Sequence, residues 1–275
     1  MTAQPAQTAA ATGAGGTPAT TGSRGSRVLG LVTLVGVVAL ALFALVFSPA
    51  DAVQGDSVRL MYVHVPTAIL AFAAFGVTAL GSALYLWRRS QFWDLVAASS
   101  AEVGVVFCGL TLVVGMLWGR PTWGVYWVWD ARLTTTAVLF VLYLGYLAVR
   151  RLPTDADVRA KWAAIAGLIA FIDVPIVHFS VDWWRTLHQG PTISRLDPQI
   201  DGLMLFTLVL GLVVFALVYL WLMVHRFRVA FLEDTLDRRA LDRALAARRA
   251  EADAATEPAG AEGSPEVLAP AGGRS

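Results

Sequence analysis

Six long apolar runs divide this chain, at residues 28–48, 62–87, 95–118, 133–149, 162–181 and 203–224. An α-helix rises about 1.5 Å per residue, so about 20 residues cross a hydrocarbon core of about 30 Å. Each run is long enough to span, the fourth being the shortest. The pattern predicts an all-α integral membrane protein with six transmembrane helices. Residues 1–26 are mostly Ala, Thr, Gly, Pro and Ser without an apolar face, and are expected to be disordered. The stretch from about residue 251 to the end reads the same way. Between it and the sixth run, residues 227–249 read as an amphipathic helix, with Leu232, Leu236, Leu241 and Leu245 among charged positions. It has two readings: a helix lying on the membrane surface, or a docking helix for a cytoplasmic partner. The expected division is a tail at 1–27, a membrane domain at 28–230 and a cytoplasmic segment at 231–275.

The first run has an A-x-A-like sequence after it, Ala50–Asp51–Ala52. A signal-peptide core is about 7–15 apolar residues. Residues 28–47 exceed that, so the run reads as a retained span. With the N-terminus inside, ten basic residues flank the inner ends: Arg24, Arg27, Arg88, Arg89, Arg150, Arg151, Arg159, Lys161, Arg226 and Arg228. Five flank the outer ends: Arg59, Arg120, Arg132, Arg185 and Arg195. The positive-inside rule therefore expects both termini in the cytoplasm, with outward loops near 49–61, 118–132 and 182–202.

Composition narrows the class. Of 275 residues, 57% are hydrophobic and 15% charged, with a mean hydropathy of +0.62. An average soluble domain is about 25% charged. This excludes an ordinary cytosolic enzyme and an intrinsically disordered chain. Cys108 is the only cysteine, which excludes a disulfide scaffold. A net charge of +1 points to no nucleic acid, and the lipid bilayer is the expected partner. The sequence holds no P-loop, C-x-x-C-H, nucleophile elbow or H-E-x-x-H motif.

The unusual residues fall in the outward loops. Trp118, Trp123, Trp127 and Trp129 lie within twelve residues, and Trp183 and Trp184 in a second loop. Indoles favour membrane interfaces in general. That explains isolated cases such as Trp87, Trp93 and Trp221, but a density of four in twelve suits a platform for a large flat ligand. Gly119, Pro121 and Gly124 are expected to break helical continuation there. His64 and His188 sit at the same outer boundary, either as interfacial hydrogen-bonding residues or as axial ligands of a haem iron. His178, a turn inside the fifth helix with Asp182 four residues on, reads first as a buried, hydrogen-bonded residue orienting the loop, and second as a ligand. His225 reads as interfacial. Glu102 and Asp173 lie within apolar runs. Structural roles come first for both: Glu102 reaching headgroups, Asp173 bonding backbone freed by Pro175.

Residues 118–134 resemble a family of haem-handling membrane proteins of cytochrome c biogenesis marked by a tryptophan-rich WWD motif. Its core, W-G-x-x-W-x-W-D, is met by Trp123, Gly124, Trp127, Trp129 and Asp130, with Trp118–Gly119 as a second W-G pair. MYVHVP around His64 and WWRTLHQG around His188 resemble the histidine regions of the six-helix CcmC branch. The resemblance covers about 28–230. It implies haem b, held at the outer face of the bacterial cytoplasmic membrane and passed to the haem chaperone CcmE, with CcmA, CcmB and CcmD assisting. It implies His64 and His188 on the iron. The macrocycle would lie among Trp118, Gly119, Trp123, Gly124, Trp127, Trp129, Asp130, Arg132, Trp183 and Trp184. Arg120, Arg132 or Arg185 would either pair with propionates or cap helix ends and neutralise Asp130 and Asp182. Other readings remain: a haem lyase of the CcsA or CcmF kind, a b-type electron-transfer subunit, and a permease for another flat aromatic molecule. Whether the chain is itself an enzyme is open, with a transfer subunit favoured.

Overall fold

A computed structural model describes residues 22–152, 155–188 and 200–256. The elements in chain order are α1 (Arg24–Leu42), a π-turn (Phe43–Phe47), a 3₁₀ turn (Asp56–Leu60), α2 (Met61–Arg88), α3 (Gln91–Trp123), α4 (Ala131–Val149), α5 (Ala156–Phe171), α6 (Asp173–Trp183) and α7 (Gly202–Thr256). They form six helical segments long and apolar enough to cross a membrane, with α5 and α6 sharing one. The chain is a multi-pass, all-helical membrane protein, and the described residues contain no strand. Residues 1–21 and 257–275, which carry most of the two expected tails, lie outside the described residues.

Two prolines decide where helices stop. Pro175 breaks the fifth span. Its ring opposes the carbonyl of Phe171, the residue four back, and Phe171 is where α5 ends. Pro175 occupies the third position of α6, where its missing N–H would lack a helical partner anyway. The group that Pro175 frees is the Phe171 carbonyl, an acceptor, which a carboxylate cannot serve, and no such bond from Asp173 forms among the described residues, contrary to the sequence expectation. The Asp173 side chain is buried, and its Oδ2 has no hydrogen-bond partner among the described residues. Pro121 behaves differently. α3 passes through Gly119 and Pro121 and stops only at Gly124, which takes φ +81° as the C-cap. The expected break at Gly119 and Pro121 is corrected: one lost hydrogen bond in a last turn is affordable, and the Thr122 hydroxyl adds a bond of 2.9 Å to the Trp118 carbonyl.

α2 and α3 form the central pair, joined through small residues that let their backbones approach. A Cβ at Gly81 would lie 3.0 Å from the Trp93 carbonyl oxygen, and one at Gly104 would lie 2.7 Å from Phe75. This close approach is how helices associate where lipid removes the hydrophobic drive. Phe75 stacks on Tyr143 of α4 at 3.7 Å. The Ser100 hydroxyl donates to the Ala74 carbonyl at 2.7 Å and accepts from Tyr219 of α7 at 2.8 Å.

Two ion pairs tie α3 to its neighbours. Arg150 donates to both oxygens of Asp94 at 2.6 and 2.8 Å, linking α4 to α3. Glu102 accepts hydrogen bonds from Nε and Nη2 of Arg226 instead of reaching toward headgroups alone. The chain separates into two compact units at Ala230/Phe231. In the second unit, Leu232, Leu236, Leu241 and Leu245 are exposed on a helix carrying an Arg238–Asp234 pair.

Candidate functional site

Strict alternation of the six spans gathers three connections at one end: 48–60, 124–130 and 184–201. The first is a tight turn. The Asp51 carboxylate accepts N–H bonds from Gln54 at 2.7 Å and Val53 at 2.8 Å, and these bonds hold its pKa below the ordinary carboxylate value. The turn aims Gln54 at α3, where its Oε1 accepts the Trp118 indole N–H at 2.8 Å. The 3₁₀ turn that follows leads into α2 and brings His64 into its first turn.

His64 is fixed on two sides. Its ring lies against Gly115 of α3, where a Cβ would come within 2.9 Å of Cε1. Its Nδ1 meets the Thr111 carbonyl at 3.1 Å. A carbonyl only accepts, so Nδ1 carries the proton and Nε2 keeps its lone pair. Metal-binding histidines are commonly held in this way.

His188 comes to the same place from the third connection. The two imidazole centroids lie 6.3 Å apart with their planes at 29°. Trp118 meets His64 edge-on at 5.7 Å, and Trp123 meets His188 at 6.2 Å. A metal–imidazole bond is about 2.0–2.1 Å, so two imidazoles gripping one metal from opposite sides place their centroids about 6 Å apart. The 6.3 Å between the His64 and His188 rings is close to that distance. Gly119 permits Trp123 to fold back along α3, since a Cβ there would sit 3.1 Å from the indole.

The remaining tryptophans form separate groups. Trp127 and Trp129 contact edge-on at 5.4 Å. Among the described residues the buried Trp127 indole N–H has no acceptor, which leaves a donor for a ligand or partner to satisfy. Trp129 is 80% exposed and borders a cleft of about 430 Å³ with Asp130, Thr134, Trp184 and Arg185. A second, almost wholly apolar cleft of about 250 Å³ begins at Trp129 and Thr134 and runs along α4 to Val138, Val141 and Leu142. Trp183 instead stacks on Phe179 of α6 at 5.5 Å.

The arginines differ as well. Arg132 donates to the His178 carbonyl at 2.8 Å and approaches Val177 O and Ser180 Oγ at 3.5 and 3.4 Å, tying α4 to the middle of α6. Arg120 donates to the Gly124 carbonyl and lies over Tyr126. Arg185 borders the cleft. His178 corrects its first sequence reading. Its side chain is exposed and meets Phe179 edge-on at 4.8 Å, and only its backbone carbonyl serves the α4–α6 contact. His225 packs on Trp221 at 4.9 Å.

Four contributors escaped the sequence reading: Gln54, Thr111, Gly115 and Thr186. Gln54 sits within an expected outward loop, which is a signal of place but not of role. Thr111 acts through its carbonyl and Gly115 through a missing side chain, and neither leaves a motif. Thr186 lies two residues before His188, and its hydroxyl accepts the His188 N–H at 3.1 Å.

The family model described as Heme exporter protein C matches residues 17–242. The chain is 43% identical to Heme exporter protein C of Haemophilus influenzae over 199 residues, covering 72% of this chain and 80% of the relative. It is 39% identical to that of Bradyrhizobium diazoefficiens over 184 residues, or 66% and 70%. It is 42% identical to that of Escherichia coli over 158 residues, or 58% and 64%. The chain belongs to the heme exporter protein C family.

Proposed function

We propose that this protein handles haem for cytochrome c maturation, holding it between His64 and His188 at one end of the bundle and delivering it to the haem chaperone CcmE. Family membership supports the coarser part, haem export within the Ccm system. The observation that carries the finer part is the imidazole pair, 6.3 Å apart, beside Trp118 and Trp123. Haem b is the cargo, and its iron takes Nε2 of His64 as one axial donor. Trp118 and Trp123 flank the iron, while Trp127 and Trp129 continue an aromatic surface toward the macrocycle edge. Arg185 in the adjoining cleft is the arginine placed for a propionate, by a charge-assisted hydrogen bond.

The site faces outward from the bacterial cytoplasmic membrane and both termini face the cytoplasm, because basic residues concentrate at the opposite ends of the spans. CcmA and CcmB, with CcmD, act as the assisting subunits. The membrane domain at 28–230 is the haem-handling part, and the segment at 231–275 is a separate cytoplasmic element. Co-purification with CcmE tests the transfer. The complex should accumulate with haem and weaken with Trp127→Ala and Trp129→Ala. A complex equally strong without haem, or with both variants, contradicts a haem-mediated contact.

A further inference from the structure

Asp130, the acid of the tryptophan motif, bonds in two directions. Its Oδ1 accepts the Leu133 N–H at 2.8 Å and caps α4. Its Oδ2 accepts the Thr186 hydroxyl, and also the Leu187 N–H at 3.2 Å. Thr186 Oγ1 in turn accepts the His188 N–H at 3.1 Å. The start of α4 thus holds the backbone that carries His188. His64 is held by other means: it belongs to a helix, its ring lies on Gly115, and its Nδ1–H bonds the Thr111 carbonyl. One imidazole is built into the α2–α3 pair. The other lies outside the helices, on a connection whose backbone is bonded to Asp130 and Thr186.

Building on the haem reading above, we propose that Asp130 is a positioning residue rather than a haem contact. Its bonds to Thr186 and Leu187 form a latch that sets His188 against His64, so His188 is the axial ligand released at handover while His64 remains. The exchange breaks one iron–imidazole bond and forms one bond from an entering nitrogen donor. Both are neutral electron-pair donors, so the iron keeps its charge and oxidation state and no proton need move. Asp130 meets the Leu187 amide as an anionic acceptor, which makes this hydrogen bond stronger than a neutral one.

The test uses the full-length protein in lipid nanodiscs, with Asp130→Asn, Thr186→Val and His188→Ala. In haem-free protein, hydrogen exchange is followed at the Leu187 and His188 amides. In haem-loaded protein, added imidazole is the entering ligand and its uptake is followed by stopped-flow absorption. Losing a hydrogen bond to a charged acceptor shifts an equilibrium roughly tenfold or more. Asp130→Asn should therefore raise both rates about tenfold, with Thr186→Val moving both the same way. Thr186→Val leaves the α4 cap intact. If only Asp130→Asn responds, the carboxylate acts through α4 and the latch is wrong. Unchanged amide exchange or unchanged imidazole uptake in both variants also overturns it. A haem spectrum unaffected by His188→Ala would instead defeat the ligand reading. Amide exchange in the haem-free protein would still decide the latch.

Discussion

At Gly115, the site depends on a side chain that is not there. The His64 ring occupies the volume a Cβ would take, 2.9 Å from Cε1. Gly115→Ala must push the imidazole away or part α2 from α3. Overpacking of this kind costs about 1–3 kcal/mol. We expect Gly115→Ala to keep its helical circular-dichroism signal while retaining haem about tenfold less well, since about 1.4 kcal/mol is a factor of ten. A haem titration of the purified variant measures this, and unchanged affinity would show that His64 does not bind the iron from this seat. The same residue shows the limit of sequence reading. His64 and His188 were legible as candidates because imidazole is rare in this chain and chemically distinctive. Gly115 and the Thr111 carbonyl were not, because a glycine among many and a backbone oxygen carry no signature. The role of Asp130 was half legible: the motif singled it out, but its bonds to Thr186 and Leu187 required the third connection to be placed.

At the scale of elements, apolar runs gave the spans and left their ends uncertain. Pro121 and Pro175 are the same residue at different places, one in the last turn of α3 and the other within the fifth span. One is carried inside α3 and the other divides the fifth span. Each proline opposes the carbonyl four residues before it, and what differs is how its own stretch of helix is held. Near Pro121 the Thr122 hydroxyl and the αL cap at Gly124 close the turn. Nor did hydropathy reveal that Asp94 and Arg150 pair, because the residues lie 56 positions apart. Their side chains are 6% and 19% exposed, so neither charge is well solvated without the other. Removing one partner of a buried pair costs about 3–5 kcal/mol. Asp94→Ala should destabilise the bundle by an amount near the lower end of that range, read as a fall in thermal midpoint in detergent. Asp94→Leu with Arg150→Met should recover most of the loss, because no charge is then stranded. Equal destabilisation by the single and double variants would mean the pair does not join α3 to α4 in this way.

For the whole molecule, six spans and an end-to-end asymmetry of charge were both visible before any coordinates. The sequence also put three connections on one side; what it could not supply was the contact among Gln54, His64, Trp118, Trp123 and His188 in a single cluster. The proposed orientation is open to direct test. Cys108 is buried, so single cysteines added elsewhere report cleanly. Thr122→Cys should react with a membrane-impermeant maleimide on intact spheroplasts, and Leu152→Cys only after lysis. The reverse pattern would place the histidine end in the cytoplasm. The central claim is that His64 and His188 grip one iron, and the visible and resonance Raman spectra of the purified, haem-loaded protein test it most directly. The wild-type protein should be six-coordinate. His64→Ala and His188→Ala should each lose one axial bond and regain it with added imidazole, while His178→Ala stays like wild type. Unchanged coordination in both His64→Ala and His188→Ala, with loss in His178→Ala, would contradict the account and put the haem on the α6 side of the bundle.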